Sequence, residues 1–287
     1  MVYITGDTHK RFKRIADFCE RMGTTTDDIM IILGDAGINF SGGERDRYDK
    51  EFLSSLPITL FCIHGNHEMR PYEVPGYKEK EWHGGIVYQE EKYPNILFAK
   101  DGEIYDIAGK KTIVIGGAYS VDKEWRLKMN AGWWESEQPS EEIKMYVESQ
   151  LKKVNWNIDV VLSHTTPWKY EPRETFIKGL DQSKVDDSTE RWLDTIEEKL
   201  NYSKWYAGHF HIEKKIDKLQ IMFKQIDVFA EKYMSRQTII HKIRMFFEER
   251  RIWKAKMSEP LKIKVIKKWD PDFTKTTPKE KKDSKEQ

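Results

Sequence analysis

Val2-Tyr3-Ile4-Thr5-Gly6-Asp7-Thr8-His9 is the stretch that decides the fold. Four residues rich in strand formers run into a turn glycine, and an Asp-x-His pair follows at once. Side chains two positions apart on an extended segment leave the backbone on the same side, so Asp7 and His9 can grip one ion together. The same order of apolar strand and short polar island returns four times. Gly34-Asp35 follows Ile29–Leu33, and Gly65-Asn66-His67-Glu68 follows Ile58–Ile63. Ser163-His164 follows Asp159–Leu162, and Gly208-His209-Phe210-His211 follows Lys204–Ala207. Together the islands supply Asp7, His9, Asp35, Asn66, His164, His209 and His211, a ligand set for two divalent metals. Each island alone is weak: Gly-Asp after a strand is usually a turn, and a lone buried His is usually a hydrogen-bonded core residue. Five of the eight histidines falling in such islands, in one order, carries the weight.

Outward from these islands the chain alternates between strand and helix. Arg11–Met22 and Arg45–Ser54 have helical patterning, and continuous apolar runs such as Ile29–Leu33 mark strands buried on both faces. This alternation predicts an α/β sheet with helices packed outside, and in such sheets polar residues at the carboxyl ends of strands form the site. Ile96–Ala99, Ile104–Ile107 and Thr112–Ile115 are joined by Asp101-Gly102 and Gly109-Lys110, which predicts hairpins. Ser140 is the expected cap of a helix to about Val154, and Ser188 of one through Leu200. Gln220–Ile226 is the expected final strand.

The 287 residues suffice for a catalytic domain and an appendage, and the net charge of +1 hides an asymmetry. From residue 230 onward there are 17 Lys and Arg against nine Asp and Glu, a net of +8; the preceding residues carry 32 against 39, a net of −7. The expected division is a catalytic domain over 1–228, a basic helical extension over 229–270 and a disordered tail over 271–287. The extension packs on the body, holds nucleic acid or lies on an anionic membrane, in that order of preference. Cys19 and Cys62 lack CxxC spacing and read as buried reduced thiols of a cytosolic protein. No apolar run approaches membrane-spanning length, so a soluble, cytoplasmic protein is expected. Oligomeric state has no sequence signal.

The series Gly-Asp-Thr-His, Gly-Asp, Gly-Asn-His-Glu, Ser-His, Gly-His-Phe-His resembles the calcineurin-like metallophosphoesterase superfamily over roughly residues 1–228. The resemblance implies a four-layer α/β/β/α sandwich of two mixed sheets. It implies that Asp7, His9 and His211 hold one metal, that Asn66, His164 and His209 hold a second, and that Asp35 bridges them. His67 then stands outside the metal shell and protonates the leaving group. The implied chemistry is attack on phosphorus by a water or hydroxide shared between two ions about 3.5–4 Å apart. Manganese is favoured, and iron or zinc also suits these donors. Glu68 either orients His67 or holds a supporting hydrogen bond.

One departure narrows the reading. The Ser/Thr phosphatase branch follows its second Gly-Asp with Asp-Arg-Gly, whereas this chain has Gly34-Asp35-Ala36-Gly37-Ile38-Asn39-Phe40, with Asn39 the nearest polar substitute. The segment Gly116–Arg126, read on through Trp133-Trp134, resembles bacterial and phage-type members. It offers Lys123 and Arg126 for phosphate, against the plain alternative of solvated loop charges. Trp125, Trp133 and Trp134 stack an aromatic group or, by preference, pack their loop. His64 reads as structural, Trp82 and His83 as loop residues, Arg70 as within reach of the site, and His241 as a surface residue. The leading function is hydrolysis of a phosphomonoester or phosphodiester. A nuclease or nucleotide phosphodiesterase using the basic tail is the alternative, and a non-catalytic binding scaffold is the alternative from another class.

Overall fold

The computed structural model describes residues 1–177, 179 and 181–230. These lie within a first compact unit, Met1–Tyr233, and a second spans Met234–Gln287. The expected basic extension, with His241, and the expected tail therefore lie outside the described residues, apart from the end of the last strand.

The chain runs β1 (Val2–Thr5), α1 (Lys13–Met22), β2 (Ile29–Ile32), α2 (Glu44–Ser54) and β3 (Thr59–Cys62). It continues with β4 (Tyr77–Trp82), β5 (Gly85–Glu90), β6 (Ile96–Ala99), β7 (Ile104–Ile107) and β8 (Lys110–Ile115). Then come α3 (Lys123–Met129), α4 (Glu141–Lys153), β9 (Val160–Ser163), α5 (Ser188–Glu197) and β10 (Lys204–Ala207). The last elements are β11 (Lys214–Ile216), β12 (Leu219–Ile221) and β13 (Ile226–Ala230).

The strands form two mixed sheets, in the orders β13-β1-β2-β3-β6-β5-β4 and β11-β12-β10-β9-β8-β7. The period-two alternation of strand side chains assigns each face a layer. Tyr3, Met30, Ile32, Leu60 and Cys62 point outward against Ile15 and Phe18 of α1 and Leu53 of α2. Val2, Ile4, Ile31, Phe61, Val114 and Leu162 fill the space between the sheets. Ile113, Val161 and Trp205 face Val147 and Leu151 of α4 and Leu193 and Ile196 of α5. The result is the expected α/β/β/α sandwich, with three apolar layers between four layers of structure. No helix among the described residues is long and apolar enough to cross a membrane.

Four expectations change. Ile96–Ala99 and Ile104–Ile107 are not a hairpin: β6 pairs in parallel with β3, whereas β7 pairs with β8 in the other sheet. The chain changes sheet at Asp101-Gly102, where the Asp101 carboxylate accepts the Gly116 N–H at 2.5 Å and pairs with Arg70. Gln220–Ile226 is two strands, because Glu213 Oε1 accepts the N–H groups of Phe223, Lys224 and Gln225 and bends the chain between them. Helix α5 starts at Ser188 itself, with Asp187 at the cap position, and stops at Glu197. Lys123 and Arg126 lie on helix α3 and not on a loop. Ser140 caps α4 as expected, its hydroxyl accepting the Ile143 N–H at 3.3 Å.

Candidate metal centre

Parallel strands β1, β2 and β3 lie side by side in one sheet, as do β9 and β10 in the other, so the loops leaving their carboxyl ends meet at one edge of the sandwich. Those loops are the five polar islands. They approach so closely that their glycines are steric requirements. A Cβ on Gly34, which has φ +90°, would lie 2.0 Å from His164 Nδ1, and one on Gly65 would lie 2.1 Å from Asp35 Oδ1. Four candidate ligands hold left-handed backbone: His9 (φ 44°), Asp35 (φ 46°), His209 (φ 67°) and His211 (φ 55°). Such conformations cost roughly 1–3 kcal/mol each and persist where the surroundings enforce them, characteristically at functional sites.

The side chains form two adjoining clusters. In the first, His9 Nε2 and His211 Nε2 are 2.7 Å apart, and Asp7 Oδ2 is 3.2 Å from the latter and 3.6 Å from the former. In the second, Asn66 Oδ1 lies 2.8 Å from His164 Nε2 and 3.1 Å from His209 Nδ1. Asp35 stands between, with Oδ2 3.8 Å from His9 Nε2 and Oδ1 3.8 Å from His164 Nε2. Asp7, His9 and His211 form one group able to hold an ion, and Asp7, Asp35 and His164 another.

The donors fit divalent cations. Asp7 Oδ2 is buried with no hydrogen-bond partner, although its sister Oδ1 accepts the His209 N–H at 3.0 Å. Two imidazole nitrogens converge beside that oxygen, an arrangement that a shared cation stabilises. His164 Nδ1 donates to the Leu33 carbonyl at 2.7 Å, which leaves Nε2 as the free acceptor facing the site. Burial opposes the charge on Asp7, but the His211, His9 and His164 rings beside it hold its carboxyl well below the usual range. Burial also opposes charge on His9, and the Asp7 and Asp35 carboxylates outweigh it and raise the ring. Burial pushes His209 down to about 3, so it is a neutral acceptor at ordinary pH.

The remaining predicted residues divide. His67 donates its backbone N–H to Asp35 Oδ1 at 2.8 Å, and its Nε2 lies 3.9 Å from Asp35 Oδ2. Arg126 Nη2 is 3.5 Å from His67 Nε2, and its Nε is fixed by Asp122 Oδ1 at 2.8 Å. Lys123 instead covers the Trp133 ring at 4.2 Å. Asn39 is buried and accepts the Tyr77 hydroxyl at 3.2 Å, away from the clusters. Glu68 does not orient the His67 ring; its carboxylate accepts the N–H groups of Gly65 at 3.1 Å and Gly37 at 2.9 Å, tying two islands together. Arg70 is buried against Asp101 and the Ser136 carbonyl, and His83 sits in the β4–β5 turn, its ring on the Asp106 carbonyl. Trp134 packs on Phe40, in line with the preferred packing role.

Two supporting residues escape sequence reasoning. Ser120 Oγ accepts the Asn66 Nδ2 hydrogen at 2.8 Å, which aims Asn66 Oδ1 at the two histidines. Arg14 donates to the carbonyls of Gly6 (3.0 Å), Asp7 (2.8 Å) and Phe223 (3.0 Å), which holds the first island down. A buried Ser just past a strand end is the only signal Ser120 offers, and Arg14 reads as an ordinary helix-surface cation.

Comparison with known proteins adds a family to this geometry. No curated protein sequence matches the chain. The crystal structure of TT1561 of Thermus thermophilus aligns over 77% of this chain and 87% of its own, at 12% identity and a TM-score of 0.43. A second solved structure aligns over 77% of this chain and 88% of its own, at 15% identity and a TM-score of 0.41. The profile of calcineurin-like phosphoesterases matches residues 1–213. The chain thus belongs to the calcineurin-like phosphoesterase family, whose members are metal-dependent hydrolases of phosphate esters.

Proposed function

We propose that the protein hydrolyses phosphomonoesters or phosphodiesters at a dinuclear centre held by Asp7, His9, Asp35, Asn66, His164, His209 and His211. Manganese is the favoured ion, and iron or zinc suits the same oxygen and imidazole donors. The observation that supports this most is the position of Asp35, whose two oxygens face the two clusters at 3.8 Å each. When bound, the two ions would neutralise phosphoryl charge and acidify an attacking water.

The chain's own residues supply the rest. His67, outside both clusters, gives the departing oxygen its proton. Burial lowers the His67 ring, and Asp35 pulls the other way; an arriving phosphate adds to that pull and favours the charged ring. Arg126, held by Asp122 and the Gly132 carbonyl, presents its remaining N–H groups beside His67 to the phosphate oxygens. A catalytic domain over 1–228 is supported by β13, which runs on to Ala230 beside β1. A cytoplasmic setting is supported by Cys19 and Cys62, both buried and unpaired. The presence of every candidate ligand and of His67 speaks against a non-catalytic scaffold.

The test is hydrolysis of para-nitrophenyl phosphate and bis(para-nitrophenyl) phosphate. Turnover of at least one ester should require manganese, vanish with chelator and return on readdition. Protein that binds two equivalents of metal and turns over neither ester would sink the reading.

A further inference from the structure

Two clefts open on the candidate centre, and His67, Asp122 and His211 line both. Their walls differ in chemistry. The first, about 890 Å³, is lined by Lys10, Arg11, Lys13, Arg14, Arg126 and Lys224. Lys10 pairs there with Asp46 and Asp49, Lys13 with Asp17, and Arg126 with Asp122. Arg11 and Lys224 have no carboxylate partner among the described residues. This positive mouth stands on a body whose residues before position 230 carry a net charge of −7, so it is not a by-product of overall charge.

The second cleft, about 630 Å³, is walled by Tyr119, Trp168, Phe176 and Phe210. The Phe176 and Phe210 rings are nearly parallel, 16° apart, with centroids 6.4 Å apart. Its two arginines are already paired, Arg173 with Glu171 and Arg191 with Asp187. Asp186 adds further acid to the lining. Such a wall disfavours a phosphate and favours an uncharged planar group.

Building on the phosphoesterase reading, we propose that the substrate is a nucleotide phosphodiester strand that spans both clefts. A nucleobase rests against Phe176 and Phe210, and a neighbouring phosphate is held by Arg11 and Lys224. A phosphomonoester has one organic substituent and needs one cleft. Two clefts of opposite chemistry meeting at His67 suit a phosphorus that carries a substituent on each side. Hydrolysis breaks one P–O bond. The oxygen of water joins phosphorus, His67 gives its proton to the departing sugar oxygen, one water proton restores His67, and the other passes to solvent.

The test measures binding apart from turnover, so that failed catalysis and failed binding are told apart. Fluorescence anisotropy of labelled hexathymidylate, and of an abasic strand of equal length, is followed with the full-length protein in chelator. Arg11→Ala combined with Lys224→Ala should weaken both strands on the order of tenfold and reduce the salt slope by about 1.4. Phe176→Ala should weaken hexathymidylate on the order of tenfold and leave the abasic strand unaffected, because stacking needs a base. Undiminished binding by the Arg11/Lys224 variant would overturn the proposal and place the strand on the basic residues after position 230. Equal loss on both strands in Phe176→Ala would reduce that ring to a structural role and overturn it as well.

Discussion

His67 touches the centre through its backbone N–H on Asp35, while its ring stays outside both clusters. His67→Ala should therefore lower kcat by roughly 10²–10⁴-fold with unchanged metal stoichiometry by elemental analysis. Parallel loss of metal would move His67 into the ligand shell. A second residue reports on stability. Glu190 is buried, accepts the Thr165 hydroxyl at 2.7 Å, and is pushed by burial up to about 7. Unfolded, it titrates near 4.5. Between those values the folded state keeps a proton that the unfolded state has lost, so stability falls as pH rises through that window. The slope approaches about 1.4 kcal/mol per pH unit at its steepest. The stability of chelated parent protein relative to Glu190→Gln, by thermal unfolding from pH 4.5 to 7, should show this decline. At this scale the candidate ligands were legible, because each is a polar residue directly after an apolar run. Ser120 and Arg14 were not, because each acts on a partner that only the fold brings near.

At the scale of elements, the central strands were legible because burial on both faces writes them as unbroken apolar runs. The β4–β5 hairpin was not. Its first strand, Tyr77-Lys78-Glu79-Lys80-Glu81-Trp82, is a largely exposed edge whose alternating charges blunt pairing with other chains and erase the apolar signal. Helix α3 was missed because it buries no residue, so its pattern has no apolar face to read. The strand exits carry the tightest tolerance. Gly65→Ala would drive a methyl group into Asp35 Oδ1 and the Asp35 backbone nitrogen. The expected outcome is a folded protein with a far-ultraviolet spectrum like the parent and at least tenfold weaker metal affinity by competition with a chromophoric chelator. Unaltered metal affinity would show that the exit of β3 can shift without cost.

For the molecule as a whole, β13 pairs antiparallel with β1, so the last described strand flanks the first. Ile226 packs against the outer core layer and Phe229 against the inner one. A chain ending at Ala230, which keeps β13 whole, is the reference. One ending at Gln225 should lose several degrees, at roughly 2–4 °C per kcal/mol for a domain of this size. Equal unfolding temperatures for the two would mean that β13 adds nothing to the sheet. The four-layer order followed from the resemblance, but the crossing between sheets at Asp101-Gly102 did not. A turn dipeptide looks the same whether the chain doubles back or changes layer.

The first cluster joins Asp7 from the start of the domain to His211 near its end. During synthesis at about 5–20 residues per second, the interval between those two residues is roughly 10–40 s. Until His211 is made, Asp7 and His9 lack the histidine that closes their cluster. A nascent chain short of His211 therefore carries only part of a chelator, and the first cluster can be completed only late in synthesis.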